Sequence, residues 1–391
     1  MSMYFVGIDI SKYKHDGCII SAADQKIVSK FTIKNDKAGF EQLLTIFNSL
    51  SNPQDIKIGF ESTAHYALNL ELFLENANHS FMEINPVLIK EYKKSTSLRR
   101  TKTDSVDCES IARWLMTVEY KPHSKGFYHA YSLKSLTRLR DRLVRQRSFY
   151  LVKITNVLDH TFPEFKPFFH ERLSKTALFL LENYGSAEKM ARMNSASYEK
   201  LRSLSRGKFS PQQFLRLKEL AANTVGVNNS IFDVERNSLL TLYQSLVKEI
   251  DTLETEINKL IEEVHPHYMS VPGIGPISAA VIYSEYGDIS NFSTPAQMLA
   301  FAGIEPGVND SGTESHGGRM VKHGSPGLRY VLINCCLPLI RFDMTFAAYY
   351  AKKRGEGKPH RVAITHVAKK LVRVIHALER QGVDFNAQKL Q

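Results

Sequence analysis

Four carboxylates stand where core packing does not call for them. Asp9 follows a short apolar run in Val6-Gly7-Ile8-Asp9-Ile10-Ser11-Lys12, and Glu61 follows another in Lys57-Ile58-Gly59-Phe60-Glu61-Ser62-Thr63. Asp104 and Asp107 are three apart in Lys102-Thr103-Asp104-Ser105-Val106-Asp107, a spacing that puts both on one face of a helix. Hard divalent cations such as Mg2+ take carboxylate oxygens together with phosphate. Two such ions clamp the attacking and leaving oxygens of a phosphodiester. Each carboxylate alone also has a plain reading: Asp104 suits a helix N-terminus, and Asp107 suits a solvated helix face. The order of the four says more than any one of them. Directly upstream of the Asp pair come Lys93, Lys94, Arg99, Arg100 and Lys102, cations suited to a nucleic-acid backbone.

A second group lies far along the chain. Val271-Pro272-Gly273-Ile274-Gly275-Pro276 falls between helical patterns. It reads either as a helix-hairpin-helix turn, with Gly273 and Gly275 letting backbone N–H groups approach a phosphate, or as an ordinary αα-turn without a ligand. Ser311 sits in a polar, glycine-rich stretch from 305 to 327, followed by Arg319, Lys322, His323 and Arg329. A serine among cations suits nucleophilic attack on phosphate, the cations stabilising developing charge. A Ser-Gly pair equally suits a turn. His316-Gly317-Gly318-Arg319 with Tyr349 and Tyr350 downstream leaves a tyrosine nucleophile as a further reading, although two glycines disfavour a helix there.

The elements that must position these residues are legible from periodicity. Tyr4–Ile8, Asp16–Ser21, Lys26–Ile33, Ile56–Phe60 and Phe81–Asn85 read as strands. Residues 38–49 carry helical spacing, as do 103–117, and proline at 86 opens a further helix. Residues 66–74 alternate leucines, but their Ala/Leu/Glu content favours a helix. Strands joined by crossover helices predict a mixed sheet with helices packed on it. From 131 to 265 long helical patterns take over. Leu239, Leu242, Leu246, Ile250, Leu253, Ile257 and Leu260 approach a heptad seam, read as a coiled coil or helical hairpin, with packing inside one subunit as the other reading. Two helices, roughly 328–351 and 361–380, are expected at the end of the chain.

Composition sets the frame. The 391 residues suggest two or three domains. With 43% hydrophobic and 23% charged residues, a wholly disordered chain is excluded. The net charge is +11, gathered in two blocks: residues 88–147 hold 15 Lys/Arg against 6 Asp/Glu, and residues 301–391 hold 14 against 7. A polyanion bound along two surfaces fits this pattern. Cys18, Cys108, Cys335 and Cys336 show neither zinc spacing nor a disulfide framework, which fits a reducing cytoplasm. No apolar run reaches the roughly 18 residues that a membrane-spanning helix needs, and the N-terminus lacks the features of a signal peptide.

Taken together, these residues resemble the DEDD-type insertion-sequence transposases, a family that includes the pilin-gene DNA invertase and the bridge-RNA-guided recombinases. The resemblance rests on Gly7-Ile8-Asp9, Ser11-Lys12, Glu61-Ser62-Thr63, Ile84-Asn85-Pro86 and Lys102 to Asp107, then on Pro272 to Gly275, Phe301 to Pro306, Ser311-Gly312 and Lys322-His323-Gly324. It implies an α/β plus all-α chain: a RuvC-like domain of RNase H fold over 1–125, a helical or coiled-coil insert over 126–265, and a mostly helical transposase domain over 266–391. It implies Asp9, Glu61, Asp104 and Asp107 as ligands of Mg2+, two ions with Mn2+ as a substitute, and Ser311 as the nucleophile. Lys93, Lys94, Arg99, Arg100, Lys102, Gly273, Gly275, Arg319, Lys322 and Arg329 would contact nucleic acid. Implied partners are DNA as donor and target, a guide non-coding RNA, and further copies of the chain in a dimer or tetramer built through the insert, with no membrane. Alternative functions are a metal-dependent junction endonuclease, a DNA invertase, and a non-catalytic nucleic-acid-binding protein.

Overall fold

The computed structural model describes residues 3–61, 66–96, 104–122, 127–170, 173–311, 314–320, 322 and 324–390, without the side chains of 96, 104–105, 127–129, 306–311, 314–319 and 389–390. The chain divides into two units: residues 1–131 with 287–293, and residues 132–286 with 294–391.

The first unit is a mixed α/β layer. Strands β1 (Tyr4–Ile10), β2 (Lys14–Ser21) and β3 (Ile27–Lys34) form an antiparallel meander, followed by α1 (Lys37–Leu50), β4 (Ile56–Glu61), α2 (Leu68–Asn76), β5 (Phe81–Ile84), α3 (Pro86–Thr96) and α4 (Asp104–Leu115). The sheet order is β3-β2-β1-β4-β5, with β1, β4 and β5 parallel, consistent with the RNase H-like expectation. Alternation along each strand decides what lies on either face. Val6, Ile8, Ile56, Ile58 and Phe60 join Leu43 and Phe47 of α1 and Leu70 and Leu74 of α2 in one core. On the other face, Phe5 and Ile84 pack with Ile89 of α3 and with Ile111, Trp114 and Leu115 of α4, and Cys18 and Ile20 pack with Cys108 and Ala112. The five strands expected from apolar runs all form, with ends that differ by a residue or two.

Among the described residues the second unit is helical but for one hairpin. Two 35-residue helices, α5 (Phe127–Thr161) and α11 (Ser230–Val264), enclose α6 (Phe165–Phe168), α7 (Lys175–Asn183), α8 (Ala187–Ala191), α9 (Ser195–Leu204) and α10 (Pro211–Ala222) in sequence. The short helices share a core with α5 and α11 that includes Ile154, Phe165, Leu180, Met190, Leu217 and Leu240. Arg140 of α5 bonds Glu254 of α11, and His160 stacks on Phe232, so the two long helices run antiparallel. The leucine-rich seam is used partly inside the chain: Ile250 and Ile257 are buried, whereas Leu242 is exposed.

Then come α12 (Pro276–Tyr286), α13 (Pro295–Ala302), the antiparallel pair β6 (Pro306–Ser311) and β7 (Glu314–Met320), α14 (Pro326–Phe342), α15 (Met344–Gly355) and α16 (His360–Gln381). Helix α16 is the core element, burying Ile364, Val367, Leu371 and Ile375 along one side. Two expectations change here. The glycine-rich stretch expected to be a loop contains a two-stranded hairpin. The single helix expected over 328–351 is two, because Asp343 ends α14 and its carboxylate caps α15 by accepting from the Phe346 N–H at 2.9 Å. Among the described residues, no single helix is long and apolar enough to cross a membrane.

Candidate active site

Asp9 and Glu61 come together through strand register. Gly7 pairs with Gly59 and Ile8 with Phe60 across the parallel β1–β4 ladder, so Asp9 and Glu61 occupy the next rung. Alternation sends both to the face that α4 covers, since Gly7 and Gly59 lie on that same face two residues earlier. Those glycines let the helix approach. A Cβ on Gly7 would overlap the Cys108 carbonyl and the Ala112 nitrogen, and one on Gly59 would meet the Leu115 side chain at 2.8 Å. Helix α4 is held in this position by its buried side and by Glu109. Burial raises the affinity of Glu109 for a proton, but hydrogen bonds from Lys30 of β3 and Arg113 outweigh that and hold it below the usual carboxylate range.

Asp107 comes from α4. The Lys93 ammonium of α3 donates to Asp107 Oδ1 at 2.9 Å and lies 4.0 Å from Glu61 Oε1. Glu61 and Asp107, 46 positions apart in the chain, thus share one cation. Asp104 is the first residue of α4, one turn before Asp107, and its side chain lies outside the described residues. Among the described residues, no group of three or more His, Cys, Asp or Glu side chains is gathered closely enough to hold a metal ion. The donor chemistry nevertheless suits a hard divalent ion: the centre offers only carboxylate oxygens, and it already accommodates a positive charge, the Lys93 ammonium, between two of them.

The other residues singled out from the sequence fall into distinct settings. Lys94 pairs with Glu91 on the exposed side of α3. Arg99, Arg100, Lys102 and His323 lie outside the described residues. Ser311 ends β6 and pairs with Glu314 across the hairpin tip, its side chain and that of Arg319 lying outside the described residues. Lys322 is exposed, and Arg329 donates to the Ala302 carbonyl at 3.2 Å. Gly273 has φ +95°, and a Cβ there would come within 2.9 Å of the Cys335 carbonyl. Close packing on α14 therefore accounts for that glycine without a ligand. Gly275 faces open space.

Sequence reading missed where the C-terminal charge collects. Lys352, Arg354, Arg361 and Arg373 are exposed on α15 and α16, and Lys369 is held below the ordinary lysine range by burial and by neighbouring Arg373, partly offset by Glu305. The signal was in the sequence as the net charge of 301–391, but which of its cations stand exposed was not read.

Comparison with known proteins identifies the family. Residues 6–163 match a family described as transposase, and residues 266–351 match the family described as transposase IS116/IS110/IS902. The chain belongs to the IS110 family of transposases. It is 25% identical to an uncharacterized protein of insertion element IS110 from Streptomyces coelicolor, over 98% of this chain and 96% of that protein. It is 25% identical to the transposase of insertion sequence element IS1111A from Coxiella burnetii, over 66% of this chain and 59% of the other. A pilin gene-inverting protein from Moraxella bovis is 32% identical over 29% of this chain and 34% of its own. The transposase acts on DNA. Its first matched segment contains Asp9, Glu61, Asp104 and Asp107, and its second contains Gly273, Ser311 and Arg329. The short helices α6–α10 lie between the two matches.

Proposed function

We propose that this transposase cuts and rejoins DNA by metal-assisted phosphoryl transfer, with Asp9, Glu61, Asp104 and Asp107 as ligands of Mg2+ and Ser311 as the nucleophile. The observation that carries the reading is the rung shared by Asp9 and Glu61, beneath a helix whose Asp107 meets Glu61 at one ammonium. Mg2+ bound there, or Mn2+ in its place, supplies Lewis-acid polarisation of the scissile phosphate and stabilises the departing oxygen. The chain's own groups do the rest. Ser311 Oγ forms a bond to phosphorus, the bond to one sugar oxygen breaks, and the serine proton ends on that oxygen. A hydroxyl of the second strand then attacks the phosphoserine and releases the serine. Arg319, Lys322 and Arg329 offset charge on the phosphoryl oxygens. The carboxylates and the serine belong to different units of the chain, so exchange requires both.

Lys94, Arg99, Arg100 and Lys102 are assigned to the nucleic-acid backbone, with Gly275 as an open backbone approach. The roles follow the division 1–125, 126–265 and 266–391. A guide RNA and further copies of the chain, assembled through the insert, complete the assignment, and the protein works in a prokaryotic cytoplasm, at the nucleoid. The second reading is a junction endonuclease that hydrolyses DNA with the same carboxylates, Ser311 serving only the hairpin. Incubating the protein with nicked DNA and mapping any adduct by peptide mass spectrometry separates the two. The expected adduct is on Ser311, absent from Ser311→Ala. An adduct on Ser315, Ser325, Tyr349 or Tyr350, or full recombination by Ser311→Ala, overturns the assignment.

A further inference from the structure

Lys93 stands apart from the other cations of its segment. Lys94 pairs with Glu91 on the exposed side of α3, but Lys93 turns inward. Ile89, buried four residues earlier, fixes the face of α3 that packs on the first unit, and Lys93 lies on that side by helical spacing. Its side chain is 30% exposed, and those of Glu61 and Asp107 are 23% and 17% exposed. These are partly desolvated charges, for which an ion pair is stronger than one in water. Two carboxylates held this close repel each other unless a cation lies between them, and Lys93 is a cation that meets both.

An ammonium and a divalent ion cannot both occupy that position, because both need the same oxygens and they repel each other. We propose that Lys93 is the resident counter-cation of the acidic centre: a divalent metal must displace it from Glu61 and Asp107, and a nucleic-acid phosphate then takes up the displaced ammonium. The inference rests on the metal-site reading given above. It makes metal and nucleic acid bind cooperatively. Without nucleic acid the ammonium has its best partners in the carboxylates, and the cost of displacing it weakens metal binding. With nucleic acid bound, a phosphate offers Lys93 another partner of the same charge. Lys93 is therefore a gating residue for the metal centre.

The test is calorimetric titration of Mn2+ alone into the full chain, with and without a short DNA duplex, for wild type, Lys93→Met, Lys93→Arg and Glu61→Gln. Wild type should bind Mn2+ weakly and bind it more tightly once DNA is present. Lys93→Met keeps the length of the side chain without its charge. It should bind Mn2+ about tenfold more tightly in the absence of DNA and lose most of the enhancement by DNA. Its melting temperature in EDTA should fall below that of wild type and recover with Mn2+, which also shows that the variant folds. Lys93→Arg should behave as wild type. Mn2+ affinity in Lys93→Met that equals or falls below the wild-type value overturns the role of Lys93, provided Glu61→Gln weakens binding. Binding that is indifferent to Glu61→Gln overturns the metal centre itself.

Discussion

Glu71 and Glu83 show what a carboxyl becomes on the far side of the sheet that carries Asp9 and Glu61. Glu71 lies in α2, buried beside Leu70 and Leu74, and Glu83 lies in β5 opposite Phe60. Burial, then the hydrogen bond and charge of Glu83, push Glu71 up to about 9 from an ordinary value near 4.5. The folded chain therefore keeps this proton through that window, whereas the unfolded chain releases it. Stability is full below the unfolded value and falls as pH rises through the window. Glu71→Gln should flatten this fall and raise stability above pH 8 by on the order of 1 kcal/mol, measured by thermal melts from about pH 5 to about pH 8.5. A melting temperature that declines as steeply as in wild type would count against a protonated Glu71. On the opposite face, Glu61 and Asp107 lie beside Lys93 in partial contact with water. Glu61→Gln should remove most of the stabilisation that Mg2+ confers on the wild-type chain, since ligand binding to the folded state stabilises by mass action. Full Mg2+ stabilisation in that variant would place the ion elsewhere.

Helix α4 is the element on which the acidic centre depends. It brings Asp107 to the ammonium that also meets Glu61, and it can lie so close because β1 and β4 carry glycine at the crossing points. Gly7→Ala puts a methyl group into the Cys108 carbonyl and the Ala112 nitrogen. Backbone cannot swing aside as a side chain can, so the helix must lift. The substitution should cost about 1–3 kcal/mol and abolish strand exchange although it changes no functional group. Gly355→Ala, where a Cβ meets nothing within 4 Å and the backbone is helical, is the control for handling and expression. Strand exchange at the wild-type rate in Gly7→Ala would mean that the position of α4 is not critical. The elements of the first unit were readable because short strands and amphipathic helices have strong periods. The β6–β7 hairpin was not: Gly307, Asn309, Gly317 and Gly318 carry the composition of a loop, and only the pairing of Val308 with Gly317 and Asn309 with His316 makes them strands.

Across the whole molecule, charge and assembly govern behaviour. The first unit holds 16 Lys/Arg and 16 Asp/Glu, so the net charge of +11 belongs to the second unit, and nucleic-acid affinity should fall steeply with salt. Neutralising Arg99, Arg100 and Lys102 should flatten the log–log salt dependence by about 0.9 for each duplex-DNA phosphate that these side chains would otherwise neutralise, and neutralising Lys352, Arg361 and Arg373 should do the same if α15 and α16 track the backbone. A slope unchanged by either set marks those residues as a solvated face. Assembly through the insert would use what α5 and α11 leave exposed. Ile231, Val234 and Leu242 of α11 share one face and are 70%, 67% and 46% exposed. Val234→Asp with Leu242→Asp should yield a smaller particle in light scattering while the helical signal persists, since a buried unpaired charge is unfavourable only where an interface covers it. An unchanged particle would locate assembly elsewhere.

The strand and helix order of the first unit, the ends at which Asp9 and Glu61 stand and the helical spacing of Asp104 and Asp107 were all determined by the sequence, because each is a local property of short periodic segments. The two basic blocks and the serine among cations were equally open to reading. Tertiary structure decided the partners. Lys93 read as one more cation for nucleic acid, yet it meets Asp107 fourteen residues on and Glu61 thirty-two residues back. That meeting depends on how α3 and α4 pack over the sheet, and no local period encodes it. The same holds for the seam of α11. Its spacing describes an apolar stripe, but a stripe does not state whether α5 of the same chain or a second copy covers it. The fold assigns Ile250 and Ile257 to the chain's own interior and leaves Leu242 to water. Periodicity shows which side chains seek burial, and only the packed chain shows what buries them.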